Sequence, residues 1–274
     1  MSTELLLTRA CRRERRMLFS SLTFIFLFLP VVLAVYYLAP LKIRNLLLLL
    51  ASLIFYAWGE PVYVVLMILS ILLNYCCGRE IAANAEDERK AHRGMIFTVV
   101  VNLALLFFFK YYGFFLELVN SVTSAELTYR ELALPVGISF YTFQGISYVV
   151  DVYRGKAKAQ RSLLNFALFL QLIAGPIVRY EDIEPQLAQR KVSARKLGQG
   201  AMLFLIGLAK KAVLADTFKT VFEEISAISA SNLSVPMAWI GCITYAFEIY
   251  YDFSGYSDMA IGLSRMFGFE LKKN

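Results

Sequence analysis

The stretch Leu18-Phe-Ser-Ser-Leu-Thr-Phe-Ile-Phe-Leu-Phe-Leu-Pro-Val-Val-Leu-Ala-Val-Tyr-Tyr-Leu-Ala39 runs about 22 residues without a charge. At ~1.5 Å per residue, a helix of that length crosses a hydrocarbon core of roughly 30 Å. The basic stretch Arg12-Arg13-Glu14-Arg15-Arg16 precedes it, as in a signal peptide. The run is too long for that assignment and no small-residue cleavage pattern follows, so it is read as an uncleaved span.

The same reading extends along the chain. Of 274 residues, 58% are apolar and 18% charged, and mean hydropathy is +0.58. That leaves too little polar surface to cover a soluble globule. Further apolar runs are Ile43 to Trp58, Val62 to Gly78, Met95 to Val119, Leu132 to Val150, Leu163 to Val178, Ala201 to Ala215 and Val235 to Met266. An all-α polytopic membrane protein of about eight segments follows. Gly59-Glu60-Pro61 marks a tight hairpin between the second and third. Pro135, Gly137 and Gly145 mark the fifth as broken or kinked, and Gly175-Pro176 interrupts the sixth or makes it re-entrant.

The net charge of +7 sits between these runs, at Arg9 to Arg16, Arg154 to Arg161 and Arg190 to Lys196, as in loops between spans. That placement argues against nucleic acid as a partner. Orientation is open: the N-terminal arginines favour a cytoplasmic start, Lys42 and Arg44 then fall on the opposite side, and a start at Met17 would remove the first sixteen residues from the count. Arg79 to Arg93 balances four basic against four acidic residues and reads as a solvated loop or short surface helix. It carries the one histidine, His92, without an evident orienting partner. Cys11, Cys76, Cys77 and Cys242 have no metal-ligand spacing and read as small apolar residues. No phosphate loop, dinucleotide fingerprint, nucleophile elbow or zinc-protease motif is present.

Charges inside spans cost about 2.5 to 3.5 kcal/mol each on insertion scales, so they survive paired, snorkelling or facing a polar cavity. Tyr245 to Asp258 holds Glu248, Asp252 and Asp258 among four tyrosines, two serines and a glycine. Glu248 and Asp252 share a helical face, which Tyr256 extends if the helix survives Ser254-Gly255. Two readings stay open: a polar wall of a buried site, or carboxylates paired with Lys or Arg of another helix. Lys110 reads as snorkelling, and Lys210-Lys211 as anchors for phosphate head groups ahead of an anionic substrate.

Several segments together resemble the membrane-bound O-acyltransferase family, in its branch of alginate and other polysaccharide O-acetylation. They are Leu134-Pro-Val-Gly-Ile-Ser-Phe-Tyr-Thr-Phe-Gln144 with Tyr148 to Arg154, Ala174-Gly-Pro-Ile-Val-Arg-Tyr180 with Pro185-Gln-Leu187, Gly207-Leu-Ala-Lys-Lys211 with Ala215-Asp216, Tyr251-Asp-Phe-Ser-Gly-Tyr-Ser-Asp-Met-Ala260, Phe19-Ser-Ser through Pro30, and Phe55-Tyr-Ala-Trp-Gly-Glu-Pro61. They occur in the family's order across nearly the whole chain.

The resemblance implies an inner-membrane, multi-pass enzyme with a helical tunnel. It would pass an acyl group from a donor such as acetyl-CoA or an acyl carrier to a hydroxyl of an exported polysaccharide, directly or through an extracytoplasmic acetyltransferase partner. It implies no bound cofactor and no metal. The family's catalytic histidine, typically after a Trp, is expected beyond Asn274; Trp58 and Trp239 precede no histidine, and His92 does not match it. Residues 1–17 are thus expected to be a basic extension and 18–274 the N-terminal portion of one membrane domain, inactive alone. Asp252, Ser254, Tyr256, Asp258, Arg179 and Tyr180 are the tunnel or substrate-lining candidates. The competing expectations are an ion-coupled transporter using the intramembrane carboxylates, D-alanyl transfer to teichoic acid, and a non-catalytic membrane partner.

Overall fold

Helix is the one regular structure adopted by the described residues, which in this computed structural model are 17–123, 134–171, 178–229 and 231–272. The N-terminal extension, apart from Met17, and the Gly175-Pro176 break lie outside them. Among the described residues, three helices are long and apolar enough to cross a membrane: Leu41–Gly59, Tyr63–Ala83 and Glu88–Thr123. The chain divides into two compact units.

The first unit draws its described part from Ala39–Ile173 and Ile177–Leu187. Helix α1 (Leu29–Leu38) belongs to the second unit, and the first unit carries α2 (Arg44–Gly59), α3 (Tyr63–Ala83), α4 (Glu88–Thr123), α5 (Ile138–Tyr153), α6 (Leu163–Gln171) and α7 (Tyr180–Ala188). The hairpin expected at Gly59-Glu60-Pro61 is there, with residues 60–62 joining α2 to α3. The polar segment 79–93 is not a loop: α3 continues to Ala83 and α4 begins at Glu88, so its charges decorate two helix ends around a short turn. Without Pro or Gly between Arg79 and Arg93, nothing there stops a helix early. At ~1.5 Å per residue the 36 residues of α4 reach about 54 Å, well past a bilayer core.

Helix α3 is the hub of this unit, with α4, α5 and α6 packed on it. Its contact with α4 is a neutral polar clasp. Asn74 and Asn102 are buried at 0% and 1% exposure. Asn74 Nδ2 donates to Asn102 Oδ1 at 3.2 Å and Asn102 Nδ2 to Asn74 Oδ1 at 3.0 Å. Each amide also donates to a carbonyl one turn back, Ser70 or Thr98, at 2.8 Å. Amides closed on one another in this way leave no buried donor open, which is how polar groups hold helices together in lipid.

Of the three residues that mark the fifth segment as broken or kinked, Gly145 does not interrupt the helix. It lies inside α5 because a Cβ there would come 2.7 Å from the Asn74 amide, so it marks a close approach. The chain turns instead at Gly137, whose φ of 77° favours glycine, and α5 starts at the next residue.

The second unit, whose described part lies within Met17–Leu38 and Ala188–Asn274, contains α1, α8 (Ala194–Ala209), α9 (Asp216–Ser226) and α10 (Val235–Met266). The uninterrupted first span expected over Leu18–Ala39 is shortened to helix over Phe24–Leu38, its first turn, Phe24–Phe28, widened to π geometry. Pro30 offers no N–H to Phe26 and its ring crowds that carbonyl, which a wider preceding turn relieves. Helix α10 is continuous through Ser254-Gly255 over its 32 residues. It ends in a Schellman turn: Phe269 N donates to Ser264 O at 2.9 Å, Gly268 N to Arg265 O at 3.0 Å, and Gly268 has φ 90°. Tyr36 and Tyr37 of α1 donate to the freed carbonyls of Phe267 and Met266 at 2.7 and 2.8 Å, and Arg190 Nε adds a bond to Phe267 O at 3.1 Å. The charge sits where the helix dipole is negative.

Candidate functional site

In the second unit, glycines seven residues apart on each of two helices face each other. A Cβ on Gly200 would lie 2.6 Å from Gly262 O, and one on Gly207 2.5 Å from Gly255 O. Helices α8 and α10 therefore run antiparallel, backbone against backbone. Beyond Gly207 the chain enters a π-widened turn, Lys210–Ala215, which leads into α9. Two consecutive lysines on an ordinary α-helix diverge by about 100°; here both reach α10.

Lys210 Nζ lies 2.6 Å from Asp258 Oδ2 and donates to Ser254 Oγ at 3.1 Å. Lys211 Nζ lies 2.5 Å from Asp252 Oδ1 and 3.4 Å from Asp216 Oδ1. Of the two open readings of the carboxylates, the structure thus realises the pairing with lysines of another element, and head-group anchoring by Lys210-Lys211 gives way to it. Three carboxylates against two ammoniums leave one negative charge in the seam. Asp258 is the inner member at 14% exposure and Asp252 the outer at 51%. Glu248, one turn before Asp252, is half-buried and makes no ion pair among the described residues. Tyr256 is partly exposed and stacks on Phe19, centroids 5.0 Å apart and rings 16° from parallel.

An ion-paired ammonium has no lone pair with which to accept a hydroxyl proton. Lys210 therefore holds Ser254 as an acceptor and does not activate it as a nucleophile. What the seam offers is fixed polarity, its charges compensated to within one, beside the stacked rings of Tyr256 and Phe19. Among the described residues no group of His, Cys, Asp and Glu could hold a metal ion.

Arg179 and Tyr180 belong to the first unit, and the other four candidates to the second. These two neighbours also part company. The Arg179 side chain is 66% exposed, with Glu181 at 3.6 Å. Tyr180 is fully buried against Tyr148 and Phe169, and its hydroxyl accepts from Gln160 Nε2 at 2.8 Å. Burial raises the Tyr180 phenol well above the usual tyrosine range. His92 does have a partner: Nδ1 lies 3.2 Å from the Tyr153 hydroxyl, a contact across 61 residues that no local pattern reveals. The glycine crossing was open to detection, since both helices carry the same seven-residue spacing.

No family model matches the chain. It is 41% identical over 266 residues to a Pseudomonas aeruginosa protein named "Probable alginate O-acetylase", covering 94% of this chain and 51% of that protein. A peptidoglycan O-acetyltransferase of Helicobacter pylori is 34% identical over 294 residues, covering 94% and 55%. A teichoic acid D-alanyltransferase of Bacillus subtilis is 26% identical over 197 residues, covering 68% and 48%. The chain thus spans about half the length of the curated relatives it matches.

Proposed function

The chain belongs to the membrane-bound O-acyltransferase family, and on that premise we propose that it serves an enzyme O-acetylating an exported cell-envelope polysaccharide, of which alginate is the leading candidate. The observation that carries this is the identity of about 40% to alginate O-acetylases sustained over 94% of the chain. Acetyl transfer is preferred to D-alanyl transfer because the teichoic acid enzymes share only 26 to 27% identity over shorter stretches.

In this reading 18–274 is part of one multi-pass inner-membrane domain of about eight segments around a tunnel. The donor is acetyl-CoA or an acyl carrier, and the acceptor is reached directly or through an extracytoplasmic acetyltransferase partner. Acyl transfer to a sugar hydroxyl needs a base for the hydroxyl proton and donors for the developing oxyanion. Neither seam lysine is free to be that base, so the seam's role is to hold the wall of the acyl path. Asp252, Ser254, Tyr256 and Asp258 line it, and Arg179 and Tyr180 are kept as lining candidates in the first unit.

The test is deletion of the gene in a strain that exports acetylated polysaccharide, with restoration by the complete reading frame or by its Asp258→Asn form. Acetyl ester on the polysaccharide should vanish on deletion, return with the complete gene and stay low with the variant. Unchanged acetylation after deletion, with no paralogue present, would refute the reading. Ester loss with D-alanine as the missing group would reassign the acyl donor.

A further inference from the structure

Tyr153 closes α5, and the eight residues after it, Arg154 to Arg161, carry four cations. Arg154, Lys156, Lys158 and Arg161 are all exposed, and none has a side-chain ion pair or hydrogen bond among the described residues. By contrast, segment 79–93 at this end of the unit balances its charges, four against four. The nearest acid in the loop's own stretch, Asp151, has Oδ2 sealed from solvent, while its backbone carbonyl accepts from Lys156 N and Ala157 N at 2.9 and 3.2 Å.

The loop is held in place. Tyr75 of α3 donates to Arg161 O at 2.7 Å, and Gln160 N donates to the buried Tyr148 hydroxyl at 3.0 Å. The backbone is therefore fixed to the ends of α3 and α5 while the four charges project outward. Directly below them the helices turn apolar surface outward, at Leu72 of α3, Ile96 and Phe97 of α4, and Leu163 of α6. That juxtaposition, unpaired cations at the rim of an apolar helix bundle, is the level of lipid phosphates. Beside the rim lies an open cavity of about 240 Å³ lined by Ile81, Ala85, Glu88, Ala91, Val152 and Tyr153. Its mixed apolar and polar walls suit the glycerol region of an amphiphile.

We propose that this end of the first unit is a binding site for an anionic phospholipid, whose phosphate is held by Arg154, Lys156, Lys158 and Arg161 and whose glycerol backbone enters the neighbouring cavity. A lipid source is favoured over free phosphate because the apolar surface and the cavity continue the site below the charges. Each basic residue near the surface strengthens anionic-lipid binding, so the four act together.

The experiment compares the purified chain in nanodiscs of phosphatidylcholine with and without phosphatidylglycerol, against the variant Arg154→Gln/Lys156→Gln/Lys158→Gln/Arg161→Gln. Retained lipid is read by native mass spectrometry and unfolding by thermal melt. The wild type should retain phosphatidylglycerol and melt higher in its presence. The variant should bind it about tenfold or more weakly, while melting like the wild type in phosphatidylcholine alone, which shows that it folds. A second variant, Glu86→Gln, removes a charge from the same end outside the loop and should leave retention unchanged. Equal retention by the loop variant would overturn the proposal and leave the cations to a soluble acidic partner. Displacement of the lipid by inorganic phosphate alone would overturn it too, since the site would then be one for a free anion.

Discussion

In the first unit a pair of neutral amides closes α3 on α4; in the second, two charged pairs close the π-widened turn after α8 on α10. Asn74 and Asn102 sit at near-zero exposure because two amides can satisfy each other completely, at 3.0 and 3.2 Å, with no net charge to solvate. Lys210 and Asp258 are 31% and 14% exposed, and Lys211 and Asp252 25% and 51%. Charges keep a share of solvent or of a polar path because full desolvation costs more than pairing returns. The amide clasp is therefore an element of assembly, whereas the ion-paired seam keeps polar atoms accessible along a helix that carries one of the segments resembling the family.

The largest effect should come from the glycine crossing on which the seam depends. Gly207→Leu forces a Cβ to within 2.5 Å of Gly255 O. Backbone cannot yield as a side-chain tip does, and a loss of about 3 kcal/mol is expected. Thermal unfolding in detergent reads it, and an unchanged melting temperature would show that the helices do not touch there.

Next is the seam itself. Lys210→Met leaves Asp258 unpaired at low exposure, with an expected cost of about 2 kcal/mol, below the fully buried case because solvent still reaches the lysine. The exchange Lys210→Asp with Asp258→Lys should recover most of that stability. Acetylation should stay low in the exchange if the carboxylate's position matters to the acyl path; full recovery of acetylation would reduce the seam to scaffolding.

Asn74→Leu comes third, at about 1 to 2 kcal/mol, because Asn102 keeps one buried N–H and one carbonyl without a partner. A double-mutant cycle with Asn102→Leu should show the second substitution costing much less than the first. Additive costs would mean that the amides act separately.

The smallest effects are those of pH. The Tyr180 phenol is raised by burial, so its neutral form is favoured on folding. Its stabilisation is complete below the ordinary tyrosine value of about 10 and is lost as pH rises beyond it. Tyr180→Phe should flatten that alkaline limb. Glu270 runs the other way: its hydrogen bond from Lys196, 2.8 Å apart, lowers its pKa, so its contribution is present above the ordinary carboxylate range and fades as pH falls through the lowered value. Being exposed, it should give only a shallow acid limb, abolished by Glu270→Gln.

Much of the helical plan is legible locally. Val235–Met266 is a helix over the very run of residues that reads as one, and the α2–α3 hairpin sits at Gly59-Glu60-Pro61. Glycine is where local reading failed. Gly145 signals a break by its own propensity, yet it lies inside a helix because the Asn74 amide needs its space, a partner 71 residues away. Charge was ambiguous at 79–93, where high polarity suggests a solvated loop or a short surface helix and the charges in fact decorate the ends of two long helices. Within the site, the sequence put carboxylates four residues apart on one helical face but could not choose between a cavity wall and an ion pair. That choice needed the position of Lys210-Lys211, set by a π-widened turn that has no sequence signature of its own.

The sequence by itself determined an all-helical chain with apolar spans, the residues at which charge enters that apolar phase, and the family, because runs of hydrophobicity and short motifs are properties of neighbouring residues. The tertiary structure alone decided which charges neutralise each other, which glycines permit two backbones to meet, and that His92 faces Tyr153. These depend on the crossing of helices far apart in the chain, and close packing fixes such crossings to fractions of an ångström, finer than any residue pattern encodes.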